Sequence, residues 1–308
     1  MAITGTPRIS LGPVLYYWSR DDLIDFYARI ADTEVDIVYL GETVCSKRRA
    51  LCSEDWMQLA EQLTAAGKEV VLSTLTLIEA GSELGAMKRL CDNGRFTVEA
   101  NDMGAVNMLS GKHPFTTGPS VNIYNPHTLK VLAKQGLKRW VLPVELSRQT
   151  LADMQRLRPD GVETEVLVYG RLPLAYSARC FTARAHNLPK VDCQFRCLDY
   201  PDGLLLSTRE GEEFLVLNGI QTQSAKSCNL IAEIDDMLAL GVNVLRISPQ
   251  SRHTEGIIQT FHRRLHGDCS IGEASNMLER LMPGGSCNGY WHGTAGMDAC
   301  TASEAVGP

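Results

Sequence analysis

The chain has 308 residues, 44% of them hydrophobic and 21% charged, with a formal net charge of −6. That balance describes a globular chain able to bury one large core and excludes a disordered or low-complexity polymer. The acidic excess argues against a general nucleic-acid binder, which presents a basic face; the one basic run, Lys47-Arg48-Arg49, is local.

The first residues, MAITGTPRISLGPVLYYWSRDD, lack a charged segment followed by an unbroken apolar stretch and a small-residue cleavage site. No apolar run approaches the length of a membrane span. The expected compartment is therefore the cytoplasm. Disulfides are rare there, so ten cysteines invite a metal or redox reading.

In chain order, short apolar runs predict strands at Ile9–Tyr17, Val35–Gly41, Glu69–Leu75, Phe96–Ala100, Ser120–Tyr124, Arg139–Val144, Thr164–Tyr169 and Asn243–Ile247. Runs such as VDIVYLG, EVVLSTL and VNVLRIS have the near-continuous apolar character of parallel strands covered on both faces. The intervening segments carry helix punctuation. Ser53 predicts an N-cap, Glu54 and Asp55 suit the first turn, Trp56, Leu59, Ala60 and Leu63 form one stripe, and Gly67 ends it. Asn125-Pro126 opens another helix, which Gly136 closes. Leu230, Ile231, Ile234, Met237 and Leu238 stripe a third, ending at Gly241.

Eight strands joined by helical crossovers predict a (β/α)8 TIM-like barrel over residues 1–266, with an open doubly wound sheet as the alternative. The stretch 177–227 breaks the rhythm. It carries cysteines and then GLLLSTREGEEFLVLNG, a β-hairpin turning at Glu210-Gly211, and reads as an insertion between strands seven and eight. Residues 267–308 read as a poorly periodic C-terminal tail.

Barrel active sites lie on the loops after the strands. Cys45 follows strand two, and Cys180, Cys193 and Cys197 follow strand seven, so the topology places all four at one face. Only strands eight and one separate strands seven and two around the wall, which lets these loops meet over the mouth. Four thiolates suit an iron–sulfur cluster or a tetrahedral zinc, and unligated thiols are the remaining reading. Cys91 in a helix and Cys228 at a helix start read as small buried residues, Cys52 is a competing ligand near Cys45, and Cys287 is the one tail cysteine of interest.

LGPVLYYW (11–18), VYLGETVCSKRRA (38–50), PVELSR (143–148), YGRLPLAYSARCFTAR (169–184), FLVLNGIQT (214–222), VLRISPQ (244–250) and CNGYW (287–291) resemble the UbiV branch of the collagenase-like peptidase family. The resemblance covers nearly the whole chain. It implies a 4Fe–4S cluster on Cys45, Cys180, Cys193 and Cys197, and a heterodimer with a UbiU-like paralogue, assisted by a UbiT-like lipid-carrier protein. The implied activity is O2-independent hydroxylation of the ring of a polyprenylated phenolic substrate in ubiquinone biosynthesis, with prephenate as oxygen donor. Peptidase-type relatives have a cysteine seven residues before the position of Cys180; here it is Pro173, so the fourth ligand must come from elsewhere, and Cys45 supplies it. The family's peptidase activity and a zinc-stapled interaction scaffold are the alternatives.

The chain contains no H-E-x-x-H, G-x-S-x-G, G-x-G-x-x-G or Walker sequence, and its seven histidines show no ligand spacing. Polar residues at strand ends are the better binding candidates: Glu42, Asn101, Asp102, Asn122, Tyr124, Glu145 and Arg148. Of these, Asn122, Tyr124, Glu145 and Arg148 are the expected substrate contacts. Arg148, Arg179 and Arg246 offer forked hydrogen bonds to a carboxylate. Asp102 also reads as an ordinary N-cap, and the Lys47-Arg48-Arg49 run as a cation beside the cluster or a contact with the partner.

Overall fold

A computed structural model describes residues 6–300. Its strands in chain order are β1 (Arg8–Leu11), β2 (Ile37–Leu40), β3 (Glu69–Ser73), β4 (Thr97–Ala100), β5 (Phe115–Thr117), β6 (Leu137–Val141), β7 (Glu163–Tyr176), β8 (Leu204–Ser207), β9 (Glu213–Asn218), β10 (Gln221–Asn229), β11 (Val244–Ile247) and β12 (Ser286–Cys287). Strands β1 to β7 pair in parallel in sequence order, and β11 closes the circle by pairing in parallel with both β7 and β1. The fold is a closed eight-stranded (β/α)8 barrel. No helix among the described residues is long and apolar enough to cross a membrane.

Alternation along each strand sorts the residues into two cores. Val38, Leu40, Val98, Trp140, Leu245 and Ile247 point outward and pack under the helices. The inward set is mostly polar: Ser10, Tyr39, Ser73, Glu99, Arg139, Glu165 and Arg246 are all buried, with Ile37, Val71 and Val244 beside Tyr39. These groups neutralise one another in layers. At the strand N-termini, Arg8 bridges Glu69 and Glu163, each at 2.6 Å, and Arg139 reaches the same two carboxylates at 2.9 and 2.8 Å. In the middle, Glu165 accepts from Ser10 Oγ (2.6 Å), Tyr39 OH (2.5 Å) and Arg246 Nε (2.6 Å). Above it, Arg246 Nη2 lies 2.8 Å from Glu99, which also accepts from Ser73 Oγ at 2.7 Å.

Strand β7 runs seven residues beyond its predicted end at Tyr169 because it changes partner. Up to Tyr169 it pairs in parallel with β11; beyond, it pairs antiparallel with β10, which also pairs with the β8–β9 hairpin. Gly170 sits at the change with φ +128°, where a Cβ would collide with Ser248. The predicted insertion is therefore a three-stranded antiparallel flap continuous with the barrel wall, and its last strand reaches Asn229. The hairpin turn falls where expected, between Thr208 and Glu212.

Several expectations need correction. Strand five is Phe115–Thr117, and Ser120–Tyr124 is the loop after it. The alternation in that loop is real, with Val121 and Ile123 buried and Asn122 and Tyr124 exposed, but it has no strand neighbour. A turn from Gly118 to Val121 breaks it away from the sheet. The helix Ser53–Ala65 is capped by Cys52, whose N–H donates to Asp55 at 3.0 Å. Cys228 lies in β10 rather than at a helix start, opposite Cys287 of β12. Leu238 of the third stripe is exposed, while Leu230, Ile231, Ile234 and Met237 are buried. The tail is structured: a helix over Ile271–Glu279 has a Ser270/Glu273 capping box, and β12 joins the sheet beside β10. Its last residues, 301–308, lie outside the described residues.

Candidate metal centre and barrel-mouth cavity

Cys45, Cys180, Cys193 and Cys197 line one small pocket, with Lys47, Arg48, Thr182, Ala183, Phe195, Arg196 and Gly219. The convergence expected from topology is present. None of the four is in a disulfide, and each is only partly exposed. Cys52 does not line this pocket, and neither does Cys287, which is buried in β12.

Local structure presents each thiol. Glu42 accepts the N–H groups of Val44 (2.8 Å) and Cys45 (3.0 Å), which bends the chain after β2 and aims Cys45 inward. Cys180 occupies the N-cap of the helix Phe181–Ala185, and its sulfur accepts from Ala183 N–H at 3.4 Å. Between Cys193 and Cys197 the backbone takes two consecutive left-handed residues, Gln194 (φ 50°) and Phe195 (φ 51°). Non-glycine residues adopt that conformation at a cost of order 1–3 kcal/mol each, and such sites cluster at ligand clamps. The Phe195 ring lies against Tyr17, 5.8 Å between centroids.

The basic run divides its work. Lys47 Nζ donates to the Lys190 and Val191 carbonyls, each at 2.8 Å, tying the Cys45 loop to the cysteine-bearing insertion. Arg48 is buried, with its guanidinium against the Cys197 sulfur, and donates to Leu15 O and Asn218 Oδ1, both at 2.7 Å. Arg49 is exposed. Burial pushes the Cys45 and Cys197 thiols above their ordinary range, while the Arg48 charge pulls both the other way. Loading a metal must deprotonate these thiols, so it releases protons and is favoured by rising pH.

Four cysteines at one pocket are a donor set of the kind that a zinc ion or an iron–sulfur cluster takes. Among the described residues, no three His, Cys, Asp or Glu side chains are drawn tightly enough to hold a single metal ion.

Beside this pocket, the barrel mouth opens into a cavity of ≈ 660 Å³. Its floor is Glu99 and Arg246, its walls include Thr43, Thr76, Asn101, Arg171 and Tyr176, and Asn122, Tyr124 and Glu145 stand at the rim. Three of the four expected substrate contacts therefore meet here, and Tyr124 OH donates to Glu145. Arg148 does not join them. It forks onto Asp236 at 2.5 and 2.7 Å, and Arg179 lies on an exposed loop. Asn101 donates to Thr74 O at 3.0 Å and to Glu99 at 3.2 Å, a structural role, and Asp102 is the N-cap of the helix Met103–Leu109. The lining contains no histidine and no cysteine.

Sequence reasoning missed Glu99, Arg171 and Tyr176. Glu99 carried a signal: one carboxylate in the apolar strand TVEA marks an inward barrel position. Tyr176 carried none, since it reaches the cavity only because β7 outruns the barrel.

A family model described as Peptidase family U32 matches residues 21–293. Among solved structures, the U32 peptidase Mk0906 is similar at 9% identity and a TM-score of 0.44, over 81% of this chain and 96% of that one. N-acetylneuraminate lyase (sialic acid aldolase) from Aliivibrio salmonicida is similar at 12% identity and a TM-score of 0.47, over 91% and 80%. Dihydrodipicolinate synthase from Aquifex aeolicus is similar at 9% identity and a TM-score of 0.38, over 89% and 80%.

Proposed function

The chain belongs to peptidase family U32, the collagenase-like peptidases, and from that premise we propose that it is an iron–sulfur subunit of the UbiV type. It works beside a UbiU-like paralogue, with a UbiT-like lipid carrier, in O2-independent hydroxylation of a polyprenylated phenol for ubiquinone biosynthesis. Prephenate is the oxygen donor in this reading. The observation that carries it is the meeting of Cys45, Cys180, Cys193 and Cys197 around one pocket next to a cavity large enough for an aromatic ring.

Those four thiols would hold a 4Fe–4S cluster, which supplies one-electron chemistry when bound. The chain's own residues do the rest. Ala183 N–H and the Arg48 guanidinium donate toward Cys180 and Cys197, stabilising negative charge on sulfur. The cavity walls offer Tyr176, Arg171 and Arg246 to oxygen atoms of a ring or carboxylate. Peptide hydrolysis finds less support. The cavity lining holds hydroxyls, among them Ser120 and Ser248, but no histidine or cysteine for a nucleophile–base pair.

A heterodimer also suits the insertion. Val191, Phe195, Leu198, Leu205, Leu206 and Phe214 are exposed on it, and among the described residues β8 has no strand neighbour on its outer edge. Anaerobic co-expression with a U32 paralogue from the same genome should yield a stable complex. Leu205→Asp with Leu206→Asp should weaken co-purification and leave iron content unchanged. Peptide hydrolysis by the purified chain alone, with no paralogue retained, contradicts the proposal.

A further inference from the structure

A continuous buried hydrogen-bond chain joins the thiol pocket to the cavity. Arg48, against Cys197, donates from Nη2 to Asn218 Oδ1 at 2.7 Å. Asn218 Nδ2 donates to Gln221 Oε1 at 2.9 Å, and Gln221 Nε2 donates to Tyr176 OH at 2.6 Å. Asn218 and Gln221 are buried at 2% and 0% exposure, so water does not complete this chain for them.

The direction of every bond follows from chemistry. A guanidinium only donates, so Asn218 must turn its oxygen to Arg48. Its amide nitrogen then faces two acceptors, the Leu15 carbonyl at 2.7 Å and Gln221 Oε1. Gln221 Oε1 also accepts from Gln223 Nε2 at 3.0 Å, which leaves only its nitrogen for Tyr176. The Tyr176 oxygen is therefore an acceptor on the relay side, and its proton is turned away from the relay. Thr76 stands beside it, and both residues line the cavity.

We propose that Tyr176 is a binding residue of the barrel-mouth cavity, an O–H donor to a phenolic or carbonyl oxygen of an aromatic ligand, and that Arg48, Asn218 and Gln221 are positioning residues that set this polarity. The inference rests on the cavity being the substrate site, as proposed above, but not on the presence of a cluster. Burial pushes the Tyr176 phenol up to about 12, which keeps the proton in place at neutral pH.

Reversing the relay without removing any group tests it. In Gln221→Glu the carboxylate still accepts from Asn218 and Gln223, but it also accepts the Tyr176 O–H hydrogen bond, so the phenol no longer donates to a ligand. The probe is 4-hydroxybenzamide, a neutral phenol, titrated calorimetrically against the anaerobically purified protein. Tyr176→Phe should weaken binding roughly tenfold, the worth of one hydrogen bond. Gln221→Glu should match that loss, and the double variant should bind no more weakly than the weaker single one. Asn218→Asp reverses the relay one step earlier and serves if Gln221→Glu does not fold. Wild-type affinity in the reversed variants, losses that multiply in the double variant, or no binding by the wild type would each overturn the proposal. Iron measured on the same samples reports separately on the metal centre: a relay that works in iron-free protein overturns the cluster and leaves this inference standing.

Discussion

Cys45→Ala is expected to weaken iron retention roughly tenfold or more, since even partners beyond the ligands typically cost 10–100-fold. The same loss is expected for Cys180→Ala, Cys193→Ala and Cys197→Ala, because all four thiols border the pocket. Cys45 is the informative one. It arrives from the loop after β2, 135 positions before Cys180 in the chain, and no local motif joins them. Its position depends on Glu42 holding the turn and on Lys47 clamping the insertion carbonyls. Lys47→Ala should therefore lower iron affinity while leaving every ligand in place. Cys91→Ala is the control: Cys91 is buried at the end of the helix Gly81–Cys91 and does not line the pocket, so the variant should lose stability and keep its iron. Iron and acid-labile sulfide assays on anaerobically purified variants decide this, and full iron in Cys45→Ala would make Cys45 a bystander.

Glu165→Gln should cost about 3–5 kcal/mol of folding stability, as when a buried ion pair loses one partner. Glu165 is fully buried and stands between Arg246 and Arg139, with Ser10 and Tyr39 donating to it. Removing its charge leaves Arg246 with Glu99 alone and unbalances the layer below. Burial by itself would raise the Glu165 carboxyl, but the two guanidiniums and these hydrogen bonds outweigh it and hold it below its ordinary 4.5. The sign follows from linkage. A carboxylate whose folded value is depressed contributes fully above the unfolded value, and that contribution is lost as pH falls through the folded value. Acid unfolding of the wild type should therefore steepen below about pH 4.5, and Glu165→Gln should flatten that limb. Arg148→Ala makes the contrast. Its bridge to Asp236 is 44% and 29% exposed at the two side chains, so its loss should cost no more than about 1 kcal/mol. Urea denaturation across pH measures both.

The barrel was legible because its signals are local. Buried parallel strands read as apolar runs, and Asn125-Pro126, Gly67, Gly136 and Gly241 mark helix ends where the structure has them. The face shared by the four cysteines was also legible, since it follows from strand order alone. Failures came where long-range pairing decides. Ser120–Tyr124 alternates like a strand but finds no neighbour, and Cys228 looks like the start of a helix until β10 recruits it opposite Gly170. Arg148 sits one residue past its helix cap, as a mouth residue would, yet Asp236 from a distant helix captures it. The relay from Arg48 to Tyr176 was invisible, because its members come from the loop after β2, the flap and the overrunning end of β7. Only the folded chain brings them within hydrogen-bond reach.

The central claim is that Cys45, Cys180, Cys193 and Cys197 enclose one four-iron cluster. Elemental and sulfide analysis of the wild-type chain, purified without oxygen and paired with electron paramagnetic resonance of the dithionite-reduced protein, tests it most directly. The account predicts iron and acid-labile sulfide in equal amounts, about four of each per chain, and a reduced-cluster signal lost in Cys45→Ala. A colourless protein holding one zinc and no sulfide would contradict it.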